Sequence, residues 1–312
     1  SGWRLSIYVL AYVVVSSLLW GVSFTFLSLA LGDSAQRFLE SNGGFVVQAF
    51  ILFTPALVAG GGCCALLESL PLKSLGWGAH KGWWRDFVWG SLLGAAALLL
   101  ATGIARMFGG FSFSFNASGM LAAAVKTLLV SGVVFILAAA AEEIVFRGYP
   151  LQTLTRAGLA WFAVVLTSIG FALVHRSNPN LDVPNVYPQL AFANTAIAGV
   201  WLAVAYLRTR SLWLPLGLHW SWNWTMGSLL GLPVSGITTL APTPLLRASD
   251  HGPAWLTGGA YGIEGGLACT LALLLATAFI WYTKLFAATE EMKALTTHEI
   301  PKQAEKLGIF DS

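Results

Sequence analysis

The sequence predicts an all-α, polytopic membrane protein with eight transmembrane helices, and three observations predict it. Of its 312 residues, 56% are hydrophobic and only 10% charged, against about 25% charged in an ordinary soluble domain. The mean hydropathy of +0.72 reflects more apolar surface than a soluble fold of this length can hide. The apolar residues also fall in long continuous runs, each near the ~20 residues that cross a bilayer core. They do not show the short alternations of a membrane barrel, so no sheet is expected.

Eight such runs occur, at about 5–31, 45–67, 86–107, 119–147, 159–175, 189–207, 212–231 and 266–287. The first is too long for a signal-peptide core and reads as a retained span. In the seventh, Pro215, His219 and Asn223 interrupt the apolar pattern. The connections carry an asymmetric charge. With the N-terminus inside, 12 Lys and Arg fall on the inner side, among them Arg147, Arg156, Arg208, Arg210, Lys302 and Lys306. Only 4 fall outside, namely Arg37, Arg106, Arg176 and Arg247. The positive-inside rule then puts both termini in the cytoplasm.

The whole chain, 1–312, reads as one membrane domain with a polar tail at 288–312, a solvated helix or disordered end. Trp83, Trp84, Trp89 and Trp213 near span ends read as an interfacial belt. Gly90-x-x-x-Gly94 and Gly227-x-x-x-Gly231 permit close helix approach. Cys63, Cys64 and Cys269 lie in apolar runs and are too few for a disulfide framework, so they read as buried thiols. No basic cluster marks a nucleic-acid surface.

Ionisable groups inside spans are costly and ask for a reason. Four stretches hold them: Glu142-Glu143-x-x-x-Arg147, Phe171-x-x-x-His175, His219-x-x-x-Asn223, and the glycine-rich turn around Glu264. Glu143 and Arg147 are four apart and share a helix face, so they read as an ion pair. Glu142 is turned about 100° away and keeps no such neighbour, which suits a general base. A plain ion-pair cluster locking helices is the alternative.

Depth gives a test. Glu142 lies about 21–24 Å before a turn near Ala157-Gly158, and His175 about 25 Å after it, at 1.5 Å per residue. A hairpin there brings both residues to one level. His219 and Asn223 share a face and can each donate a hydrogen bond. His80, His251 and His298 fall in connections or the tail and carry no role. Metalloprotease, nucleophile-elbow, Walker and dinucleotide motifs are all missing from the sequence.

In this order and on these spans, Glu-Glu-x-x-x-Arg, Phe-x-x-x-His and His-x-x-x-Asn resemble the type II CAAX prenyl endopeptidases, the CPBP or ABI family of intramembrane proteases. The resemblance covers about 86–231, the catalytic core, and the glycine-rich run at 258–266 is similar to a feature of bacterial members. It implies that Glu142 activates water with help from His175. It further implies that His219 and Asn223 form an oxyanion site, with Glu143, Arg147 and Phe171 in support. No cofactor is expected; if a zinc ion takes part, Glu142, His175 and His219 are its ligand set, with one position open for water. The expected partners are membrane lipid and a peptide or protein substrate, in a bacterial inner membrane, with the oligomeric state open. No residue in these motifs reads a prenyl group. Two other function classes share the pattern: a non-catalytic scaffold or immunity-type protein, and a proton-coupled transporter. A carrier should show symmetric halves, whereas the polar residues here cluster between 142 and 223.

Overall fold

A computed structural model of the chain describes residues 2–115 and 120–296. It is built almost wholly of helices: α1 (Gly2–Leu31), α2 (Ala35–Leu39), α3 (Asn42–Glu68), α4 (Trp83–Met107), α5 (Leu121–Arg147), α6 (Tyr149–Arg156), α7 (Ala160–Val174), α8 (Pro188–Thr209), α9 (Trp213–Trp224), α10 (Ala254–Thr257), α11 (Leu267–Tyr282) and α12 (Glu290–Thr296). Among the described residues, six helical segments are long and apolar enough to cross a membrane: Gly2–Leu39, Asn42–Glu68, Trp83–Met107, Leu121–Arg156, Ala160–Ser177 and Pro188–Thr209.

The expected seventh and eighth spans are helical but short. α9 has 12 residues and rises about 18 Å; α11 has 16. α9 is an interior helix, with Leu214, Pro215, Leu216, Gly217 and Leu218 all buried. It packs on α4, α5 and α8, so its surroundings are protein and it need not match the lipid thickness. Its closest neighbour is α4. A Cβ at Gly90 or Gly94 would strike the Leu214 or Leu218 carbonyl, and one at Gly217 would strike that of Phe87. The expected close approach at Gly90 and Gly94 is therefore present. Gly231 behaves differently: at φ +69° it ends the segment rather than packing a helix, after a π-helical stretch, Thr225–Leu229.

Sequence signals set the element ends. The Ser41 hydroxyl accepts from the Gly44 N–H at 3.2 Å and caps α3. Pro150 lacks an N–H to continue α5, so the chain breaks at Gly148 and restarts as α6. Pro188 opens α8. The α6–α7 turn falls at 157–159, as the depth argument requires.

One expectation is overturned. Phe111–Phe115 (β1) and Leu246–Asp250 (β2) pair antiparallel, Phe113 opposite Ala248. The alternation Phe-Ser-Phe-Ser-Phe is a period-two pattern too short to cross a membrane, and it forms a small ribbon at the α4 end. The tail expected to be solvated begins with α12, which packs against the turn Leu72–Leu75 and buries Met292. The rest of that tail, with His298, Lys302 and Lys306, lies outside the described residues. His80, given no role above, is buried, with Nε2 3.1 Å from the Ser211 hydroxyl. The three cysteines are free and buried, as expected.

Candidate active site

The α5–α7 hairpin and α9 bring the three motifs together. Glu143 and Arg147 lie on the inward face of α5, and both side chains are wholly buried. Glu143 Oε1 accepts from Arg147 Nη1 at 3.2 Å and from His219 Nδ1 at 2.9 Å. The ion pair read from the four-residue spacing is present, and His219 joins it. Arg147 Nη2 donates to the Gly199 carbonyl at 3.2 Å, and its guanidinium carbon lies 4.5 Å from the Phe171 ring centroid, within cation–π range. Gly199 is required at this crossing, because a Cβ would come within 2.8 Å of Ser168.

Glu142 points the other way. Its side chain keeps 27% exposure. Its Oε2 lies 3.6 Å from His219 Nε2 and 3.9 Å from His175 Nε2. These separations exceed a direct hydrogen bond, and Oε2 is buried with no donor in the protein. His175 Nδ1 lies 2.8 Å from the Phe171 carbonyl. A carbonyl can only accept, so Nδ1 carries the proton, and Nε2 of the neutral ring presents a lone pair. The same reasoning gives His219 a proton on Nδ1, facing Glu143. Glu142 Oε2 and Nε2 of both imidazoles thus face one small volume.

That volume opens into a cavity of about 780 Å³. Its walls come from α1, α3, α5, α7, α8, α9, α11 and the turns before α11. They are largely apolar, with Phe135, Phe146, Phe171, Trp201 and Leu273 prominent. Glu142, His175, His219 and Asn223 all line it, whereas Glu143 and Arg147 stand behind the wall. Asn223 sits one helical turn beyond His219 and makes no hydrogen bond among the described residues. Among those residues, no group of three His, Cys, Asp or Glu meets the geometry of a metal site.

Three further polar residues carry no role assigned from the sequence. Asn194 is buried; its Nδ2 donates to the Glu264 and Gly266 carbonyls at 2.8 and 2.9 Å, and its Oδ1 accepts from the Thr270 hydroxyl at 2.6 Å. It ties α8 to the turn and to α11. Glu264 lines the cavity itself and accepts from Trp222 Nε1 at 3.0 Å. The third is Glu68, at the end of α3 and away from the cavity. It accepts from Tyr149, Thr153 and Arg156 at 3.1, 2.5 and 2.6 Å. Position beside a span flagged Glu264 in the sequence, but not its partners Trp222 and Ser235. No local pattern could have flagged Glu68, whose partners lie more than 80 residues away.

Residues 124–225 match the family model described as type II CAAX prenyl endopeptidase Rce1-like. The matched segment holds Glu142, Glu143, Arg147, Phe171, His175, His219 and Asn223. No curated protein and no solved structure matches the chain.

Proposed function

We propose that this chain, through its Rce1-like domain, is an intramembrane endopeptidase that hydrolyses a membrane-associated peptide or protein. One observation carries the reading: Glu142 Oε2, buried and without a donor, faces His175 and His219 at 3.9 and 3.6 Å at the edge of a cavity. A separation of 3.9 Å between Glu142 and the His175 lone pair suits one shared water. Glu142, aided by His175, takes a proton from that water as its oxygen attacks the scissile carbonyl carbon. The tetrahedral oxyanion then faces His219 and Asn223. Asn223 donates from its amide. Protonated on both nitrogens, His219 donates to Glu143 from one and to the oxyanion from the other. Collapse breaks the C–N bond, and the proton held by Glu142 passes to the leaving amine. Glu143 and Arg147 hold His219 and Phe171 in place from behind.

A scaffold would pair its polar groups among themselves and leave no room for a peptide. The cavity beside Glu142 supports the protease instead. Its apolar walls suit a substrate that arrives from lipid, and a helical substrate must unwind to expose its carbonyl carbon. The charge asymmetry of the connections supports an inner-membrane protein with both termini cytoplasmic. The test is incubation of the purified protein with a peptide library beside Glu142→Ala. Cleavage by the first and not the second is expected; a library left intact by both overturns the reading.

A further inference from the structure

The carboxylates of this protein differ in one respect. Glu68 has Arg4 and Arg156 beside it, Glu143 has Arg147, Glu142 has two imidazoles and Asp86 has His80. Among the described residues, Glu264 alone of the acidic side chains not exposed to solvent has no Lys, Arg or His within ion-pair distance. It is also firmly held. Oε2 accepts from the Ser235 N–H and hydroxyl, both at 2.7 Å, and Oε1 accepts from Trp222 Nε1 at 3.0 Å. A carboxylate has about four acceptor sites, so Oε1 keeps one unused.

The surrounding turn is tightly packed, so the flank is fixed. Gly258 and Gly262 adopt φ +86° and +98°. A Cβ at Gly258 would strike the Gly262 carbonyl, and one at Gly262 would strike that of Pro233. Glu264, Ser235, Trp222, His219 and Asn223 all line the same cavity. Trp222 follows His219 by three residues and shares its helix face, so Glu264 stands one side chain away from the proposed oxyanion pair.

A lone carboxylate on an apolar cavity wall is expensive unless a cation meets it. We propose that Glu264 is a specificity-determining residue: it forms a subsite that takes a cationic group of the peptide substrate, an ammonium or guanidinium within a few residues of the scissile bond. The proposal rests on the protease reading for the identity of its ligand. Its chemistry requires only that an apolar peptide with one positive charge enter the cavity.

The test measures binding. Glu142→Gln protein in nanodiscs of uncharged lipid is titrated with fluorescent, N-acetylated, C-amidated apolar peptides. Each carries one lysine at successive positions, with norleucine and glutamate at the same positions as controls. A peptide with a free amino terminus and no lysine separates a terminal ammonium from a side-chain one. Because Glu142 is already neutral, a preference for lysine cannot arise from it. At one or two adjacent positions the lysine peptide should bind about tenfold more tightly than norleucine, and glutamate more weakly than either. Adding Glu264→Gln should bring the lysine-to-norleucine ratio down to about one. Equal binding at every position by the Glu264-containing protein overturns the subsite, and so does no binding at all; neither result depends on the second variant folding. Equal weakening of lysine and norleucine peptides by Glu264→Gln would make Glu264 a clamp for Trp222 only. Should Glu142-containing protein cleave nothing while the lysine preference persists, the protease reading fails and the subsite stands.

Discussion

Two glutamates of this molecule, one buried and one half-buried, end in opposite states. At the close of α3, Glu68 accepts from a tyrosine, a threonine and an arginine, and Arg4 approaches within 3.7 Å. The group ties α1, α3 and α6 together and opens on no described cavity. On α5, Glu142 has histidines at 3.6 and 3.9 Å and no donor on Oε2. A carboxylate surrounded by donors is finished as a structural joint. One that faces two imidazole nitrogens beyond hydrogen-bond reach, beside open space, is left unsatisfied at a cost, and in a protein such a cost marks chemistry.

The largest separation between the two should come from neutralising Glu142. Glu142→Gln keeps the size of the side chain and cannot take a proton from water. Peptide turnover should fall roughly 10²–10⁴-fold with thermal stability unchanged. Wild-type turnover in this variant would end the comparison at once. Next in size are Asn223→Ala and His219→Ala. Each should lower kcat about 10²–10³-fold with little change in KM, as expected for donors that act on the transition state. A rise in KM alone would make them substrate contacts.

Glu68→Ala should do the converse. Removing one side of a buried ion pair costs about 3–5 kcal/mol of stability, seen as a lower unfolding midpoint in detergent, while kcat per folded molecule is unchanged. Loss of kcat without loss of stability would erase the distinction between joint and site. The smallest expected effect is that of chelation. Prolonged chelator treatment should leave activity in place; stoichiometric zinc, with activity lost on its removal and regained on its return, would make Glu142, His175 and His219 ligands instead.

Much of the site could be read from spacing, because its parts are i, i+4 pairs on helices. Glu143–Arg147, Phe171–His175 and His219–Asn223 each obey one local rule, and the hairpin depth sum brought Glu142 level with His175. What escaped was non-local. Glu68 closes its apolar run with no local partner to mark it. His80 looked like a loop histidine until Ser211 and Asp86 enclosed it. The β1–β2 ribbon is visible as alternating Phe and Ser in β1, but its partner strand lies more than a hundred residues on. The eight apolar runs correspond to six helical segments long enough to span and two shorter helices, α9 and α11, because run length measures apolar composition and not helix length.

The shortness of α9 also bears on how the protein is made. Even with the π-helical stretch that continues it to Leu229, α9 is shorter than the ~20 residues that cross a bilayer core, and Pro215, His219 and Asn223 interrupt its apolar pattern, so it is a poor substrate for insertion on its own. Its glycine contact with α4 supplies the surface it needs. We therefore expect α9 to enter the bilayer only against α4, once that helix is in place. Gly94→Leu should let α9 slip out of the membrane during translation and leave the loop after it on the wrong side. A glycosylation tag placed in the 238–244 segment would report this as a change in modification between the two proteins, and identical tagging would show that α9 inserts unaided.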